Sequence, residues 1–152
     1  MNHYQEQFAK VAQLMSGAPY QHQGRSHNGV DCIGLALFVA LQAGLITQAD
    51  VDSVPNDYPP QPQGAELVKA LRSLLIRLPD GVPADVGDLL LIQFRGEPQH
   101  LLLVVRKTIA GPEVIHAVPI EGVSKPFRCD RNWLNGRCAK LSGVYRWKLL
   151  SE

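Results

Sequence analysis

Gly29-Val30-Asp31-Cys32-Ile33-Gly34-Leu35 is the stretch on which the reading of the whole chain turns. Asp31 is a residue type favoured at helix N-caps, and an apolar run follows it. Ile33, Leu37, Leu41 and Leu45 recur at i, i+4 spacing and Gly44 is a natural stop, so a helix is predicted from Cys32 to about Ala43. Cys32 then falls in the first turn, where free backbone N–H groups and the positive end of the helix dipole converge. That placement is expected to lower the thiol pKa and enrich the nucleophilic thiolate. Such a thiol needs only an imidazole within reach to carry out acyl transfer.

Upstream, Phe8, Val11, Ala12, Leu14 and Met15 are at helical spacing over residues 3–15, ending before Ser16-Gly17-Ala18-Pro19. The segment Tyr20–Gly29 reads as a polar loop. Downstream, residues 46–63 form a Pro-, Asp- and Gln-rich connector, read as too polar for core and too proline-rich for regular structure, and as a lid or cleft wall. A third helix is predicted over Ala65–Arg77. Strands are predicted near 88–94, 100–106, 112–118 and 120–127, then a turn or short helix around Asp130–Asn135 and a last strand near 139–148. Helices first and strands joined by short turns afterwards imply an α+β fold, with the helices on one side of an antiparallel sheet of about five or six strands. At 152 residues, with no repeat and no linker, the chain reads as a single domain, 1–152.

Composition narrows the function classes. Fifteen basic against fourteen acidic residues give no field suited to nucleic acid or an anionic membrane surface. No apolar run is long enough for membrane insertion, and the polar start Met1-Asn2-His3-Tyr4-Gln5-Glu6 does not resemble a signal peptide. The chain is therefore expected to be made and kept soluble, without a secretion signal. Three cysteines leave at least one thiol free, and Cys129 and Cys138 are read as reduced rather than paired.

Two histidines stand at strand-like segments. His100 opens His100-Leu101-Leu102-Leu103-Val104-Val105, and His116 lies in Val114-Ile115-His116-Ala117. As hairpin partners they would bring their side chains roughly 5 Å apart. The second imidazole would then hold the tautomer of the first and leave its other nitrogen free for the thiol.

These blocks resemble the NlpC family of cell-wall cysteine peptidases, which have a papain-like fold. Ala18-Pro19-Tyr20 ahead of Asp31-Cys32-Ile33-Gly34-Leu35 is similar to the family's Pro-Tyr segment and Asp-Cys-Ser-Gly-Leu motif. Gly87-Asp88-Leu89 is similar to its Gly-Asp-Leu strand, Gln99-His100-Leu101 to its His-led strand and Ile115-His116-Ala117 to its Ile-His-Ala strand. The stretch Tyr20–Arg25 and the lead-in Glu97-Pro98-Gln99-His100 resemble the branch encoded with bacteriophage tail genes. Ile33 departs from the family serine and removes a hydroxyl beside the thiol.

The resemblance implies Cys32 as nucleophile, His100 as general base and then acid, and His116 as the group orienting His100. It implies that the Tyr20 hydroxyl helps stabilise the oxyanion. Asp31 reads first as a helix cap and second as a substrate contact, Asp88 as a strand-start residue, and His22 and His27 as solvated loop histidines. The implied reaction cuts an amide of the peptidoglycan stem peptide, usually D-γ-glutamyl–diaminopimelate, through a thioacyl-enzyme. No metal or other cofactor is called for, and phage tail proteins are the implied partners, with action at the cell wall. Two rival readings stand beside this one, and within the same chemistry an amidase or acyltransferase acting on a different substrate is a third. The first is a tail-tip assembly protein with little or no peptidase activity. The second is a zinc centre built on His22, His27 and Cys32 with Cys129 or Cys138, at spacings unlike those of structural zinc sites.

Overall fold

Asn2 caps the first helix, its side chain accepting from the Gln5 N–H while Gln5 reaches back to the Asn2 N–H, both at 2.9 Å. The computed structural model describes residues 1–55, 58, 69, 71–95 and 99–152. Helix α1 (His3–Leu14) buries Phe8, Ala9 and Ala12 against the next helix and the sheet. Helix α2 (Cys32–Gln42) is buried on nearly every side, through Ile33, Leu35, Ala36, Leu37, Val39 and Ala40. The i, i+4 stripe read from the sequence was thus too narrow. This helix is central, wedged between α1 and the sheet, and its alanines let the neighbours come close.

The main sheet has the order β3-β10-β4-β5-β6-β9, antiparallel throughout. Its strands are β3 (Leu75–Arg77), β4 (Leu89–Phe94), β5 (Gln99–Thr108), β6 (Gly111–Ile115), β9 (Phe127–Arg128) and β10 (Ala139–Trp147). Strands β4 and β5 are apolar without alternation because both faces are covered. Leu89, Leu91, Leu101, Leu103 and Ile115 meet the helices, with Phe8, Leu37 and Trp147 in the same core. Leu90, Ile92, Leu102, Val104 and Val114 face the other way, under Phe127, Trp133 and Leu134. Each such buried aliphatic side chain contributes about 1.5–3 kcal/mol. Helix α4 (Arg131–Gly136), capped by Asp130 accepting from the Trp133 N–H at 2.9 Å, supplies part of that second cover.

Several local expectations change. The polar loop at 20–29 contains a small hairpin, β1 (Arg25–Ser26) with β2 (Gly29–Val30). The connector at 46–63 contains a helix, α3 (Gln48–Asp52), started by a Thr47 capping box, and it buries Val51, Val54 and Tyr58. Within the described residues it is therefore neither irregular nor outside the core. Of the helix predicted over Ala65–Arg77, residues 65–68 and 70 lie outside the described residues. Its last three residues are strand β3, edge partner of β10. The predicted strand 112–118 is broken at His116: β7 (Ala117–Val118) leaves the main sheet and pairs with β8 (Gly122–Val123).

Asp88 ties the start of β4 to the end of β10. It is fully buried and receives both Arg146 Nε and Nη2 at 2.8 Å, a bidentate pair. Among the described residues, no helix is long and apolar enough to cross a membrane.

Candidate active site

Three glycines let the loop before α2 press against its first turn. A Cβ on Gly34 would collide with the Gly24 carbonyl oxygen, and one on Gly24 with the carbonyl oxygen of Gly29. The loop can lie this close to the helix only with bare backbone at these positions. Gln23, at φ 63°, adopts the left-handed conformation that side chains disfavour. Its N–H is thereby aimed at Asp31 Oδ2, 2.7 Å away.

Asp31 is the hub of this loop. Oδ1 accepts from the Gly34 N–H at 2.7 Å, the cap read from the sequence, while Oδ2 accepts from Gln23 and from the Tyr58 hydroxyl at 2.9 Å. The carboxylate is buried and its partners are all protein groups. His22 Nδ1 lies 3.8 Å from Oδ2. Arg25 fastens α3 and the segment after it to the same loop, donating to the Val51 and Pro55 carbonyls at 2.9 Å each. The role of Tyr58, Gln23 and Arg25 was missed in the sequence, because nothing in a polar loop announces which distant carboxylate or carbonyl it will meet.

Cys32 follows this cap and is buried. Burial pushes its thiol up to about 12, helped by the Asp31 charge, while backbone N–H groups of Leu101, Ile33 and Cys32 itself pull the other way. The expected lowering by the helix start is present and is outweighed by desolvation. The N–H on the sulfur from Leu101 matters for geometry, since Leu101 is the chain neighbour of His100. Tyr20 bridges to Val30 and is half-buried beside the thiol. Its hydroxyl is pushed up to about 12 by burial and by the charges of Cys32 and Asp31.

His100 Nε2 and His116 Nδ1 are 2.8 Å apart, a hydrogen bond between two imidazoles. They are not cross-strand partners. The β5–β6 ladder pairs Leu103 with Ile115 and ends there, so the side chains meet beyond the end of the ladder. His116 is held at the break by Ser124, whose Oγ accepts from the His116 N–H at 3.2 Å and whose own N–H donates to the His116 carbonyl at 2.9 Å. The His116 ring packs on Phe127, centroids 4.8 Å apart. Burial and then the neighbouring His116 push His100 down to about 3, and burial and then Arg137 push His116 down to about 4. At neutral pH both rings are uncharged and so is the thiol.

The structure thus gathers Cys32, Tyr20 and Asp31 in one loop–helix unit, with His100 and His116 joined at the adjoining end of β5. No hydrogen bond links the Cys32 sulfur to His100 among the described residues. His22, His27 and Cys32 are not gathered with another cysteine into a metal-binding cluster among the described residues. Cys129 and Cys138 are both free, Cys129 buried and Cys138 exposed.

This architecture is similar to that of solved NlpC/P60 domains. It matches NlpC2 from Trichomonas vaginalis with a TM-score of 0.61 at 16% identity, over 97% of this chain and 47% of that one. The match to an NLP/P60-family protein similar to lipoprotein, from Staphylococcus aureus, has a TM-score of 0.58 at 20% identity, over 97% of this chain and 42% of that one. The NlpC/p60 domain of the peptidoglycan hydrolase SagA matches with a TM-score of 0.53 at 23% identity, covering 93% of this chain and 97% of that domain. This chain therefore spans less than half of two of these proteins and nearly all of the third. No protein-family model matches the chain, and no curated protein matches it in sequence.

Proposed function

We propose that this protein is a cysteine peptidase acting on peptidoglycan stem peptides, with Cys32 as nucleophile, His100 as general base and acid, and His116 as the group that orients His100. The observation that carries the proposal is the His100 Nε2···His116 Nδ1 bond, together with the N–H that Leu101, the next residue along β5, gives to the Cys32 sulfur. Two neutral imidazoles in contact have no purely structural requirement at a strand end, whereas a base whose far nitrogen is fixed is what a buried thiol needs. The fold shared with NlpC/P60 domains, one of them from a peptidoglycan hydrolase, supports the substrate class.

The resting pair is a neutral thiol and a neutral imidazole, so proton transfer accompanies attack. As the Cys32 sulfur bonds to the carbonyl carbon, its proton passes to His100 Nδ1, and the Tyr20 hydroxyl and the Cys32 N–H face the oxygen that gains charge. Collapse breaks the C–N bond, and His100 gives the proton to the leaving amine. Water then attacks the thioester, losing one proton to His100, which returns it to the departing sulfur. Asp31 acts by positioning the first turn of α2 rather than by touching substrate. The bond cut is D-γ-glutamyl–diaminopimelate, and the setting is a phage or prophage tail that opens the wall locally.

A second reading, an assembly protein of the tail tip that keeps the fold without catalysis, is favoured by one observation: the thiol is nearly covered and carries no bond to His100. Mass spectrometry of defined muropeptides separates the two. We expect wild type to yield a fragment pair split at the glutamyl–diaminopimelyl bond and Cys32→Ala to yield none. No cleavage by a folded wild-type protein would support the assembly reading, and cleavage by both would overturn the nucleophile assignment.

A further inference from the structure

A cleft of about 440 Å³ opens against His116, and His100 does not line it. Its walls carry two guanidinium groups, Arg128 and Arg137, one carboxylate, Glu121, and the aromatic faces of Phe127 and Trp133. Arg128 is paired with Asp130 at 3.4 Å. Arg137 lies over the Trp133 ring, 4.4 Å from its centroid, and donates to the Trp133 carbonyl at 3.3 Å. No carboxylate pairs with Arg137 among the described residues.

The hydrogen arrangement gives this cleft a chemical preference. For His100 Nδ1 to accept the thiol proton, His100 must carry its ring hydrogen on Nε2 and donate it to His116 Nδ1. His116 then carries its own hydrogen on Nε2, and no described protein group accepts it. The His116 Nε2–H and the exposed Arg137 guanidinium, neither held by a protein carboxylate among the described residues, together suit a carboxylate bridging the two. The aromatic walls suit the carbon skeleton behind it.

We propose that this cleft is a carboxylate-binding subsite, and that its ligand completes a carboxylate–His116–His100 relay which makes His100 a stronger base. The inference rests on the roles proposed above for Cys32 and His100. Arg137 now pushes His116 toward the neutral form; a carboxylate between them offsets that push and stabilises the positive charge that reaches the pair during attack. The carboxylate belongs either to the substrate peptide itself or to a separate acidic ligand.

The test uses full-length Cys32→Ala protein with ¹⁵N-labelled histidines, titrated with N-acetylglycine or with its uncharged amide. We expect the acid to move the His116 Nε2 resonance, the amide to leave it in place, and Arg137→Gln to weaken acid binding about tenfold while Arg137→Lys restores part of it. Equal response to acid and amide, no response of His116 to either, or unchanged affinity in Arg137→Gln would overturn the subsite. Because binding is read without turnover, these outcomes are independent of whether stem peptides are cleaved. With wild type cleaving a muropeptide, N-acetylglycine inhibits if the subsite takes the substrate's own carboxylate and accelerates if it takes a separate ligand.

Discussion

A thiol at about 12 and an imidazole at about 3 meet as neutral partners, and this sets the pH behaviour of the proposed chemistry. His100 serves as base only while uncharged, so activity is lost as pH falls through the folded values of the pair, about 3 and 4. We expect kcat/KM to hold from neutral pH to about 5 and to drop below about 4. A profile with its acid limb near the ordinary histidine value, about 6.5, would contradict the depression of the pair by burial. Stability follows the same linkage with the opposite partner in view. Both histidines are held below their unfolded value, so the unfolded chain takes up protons first and stability falls as pH drops from about 6.5 toward about 3. Urea midpoints from pH 7 to 4 read this, with a shallower slope in His116→Gln. The places of Cys32, His100 and His116 were legible in the sequence because each stands at or beside the end of a strongly patterned element. Tyr58 was not, since its value lies in a bond to Asp31 across 27 residues. Tyr58→Phe removes that bond to a buried carboxylate and is expected to cost roughly 1.5–3 kcal/mol by urea unfolding.

Among elements, the unit that matters is the Gly24–Gly34 loop with the first turn of α2. The sequence marked its cap and its helix, and the structure adds why Gly34 stands two residues after the thiol: the Gly24 carbonyl occupies the space of a Cβ. Gly34→Ala must displace backbone rather than a flexible side chain. We expect a loss of roughly 1–3 kcal/mol in stability and a fall in kcat larger than any rise in KM, because the shift moves the sulfur itself. Chemical denaturation and steady-state kinetics on the same preparation check both. The elements least legible were α3 and the break at His116. A five-residue helix has too few turns to show a period, and its prolines downstream hid the burial of Val51 and Val54. At His116 the apolar pattern runs on unbroken, while the strand changes sheets because Ser124 captures its backbone.

For the whole molecule, the α+β architecture and the antiparallel sheet followed from continuous apolar runs joined by short turns, since a sheet covered on both faces leaves no other home for Leu89–Ile92 and Leu101–Val105, whereas the insertion of β10 between β3 and β4 did not. The edges were harder: β3 was read as helix because its three residues follow an amphipathic stretch. What ties the neighbouring strands β4 and β10 together at one end is the Asp88–Arg146 pair, invisible in sequence because 58 residues separate the partners. Asp88→Ala leaves a half-buried guanidinium unpaired and is expected to cost roughly 3–5 kcal/mol in urea, with the far-UV spectrum of the folded protein unchanged. The central claim concerns covalent chemistry at one sulfur, and the most direct measurement is the intact mass of the protein after acid quench during muropeptide turnover. We expect wild type to gain the mass of the acyl fragment on the peptide containing Cys32, with no gain in Cys32→Ala. Product released by wild type without any adduct at Cys32, together with undiminished cleavage by Cys32→Ala, would contradict it.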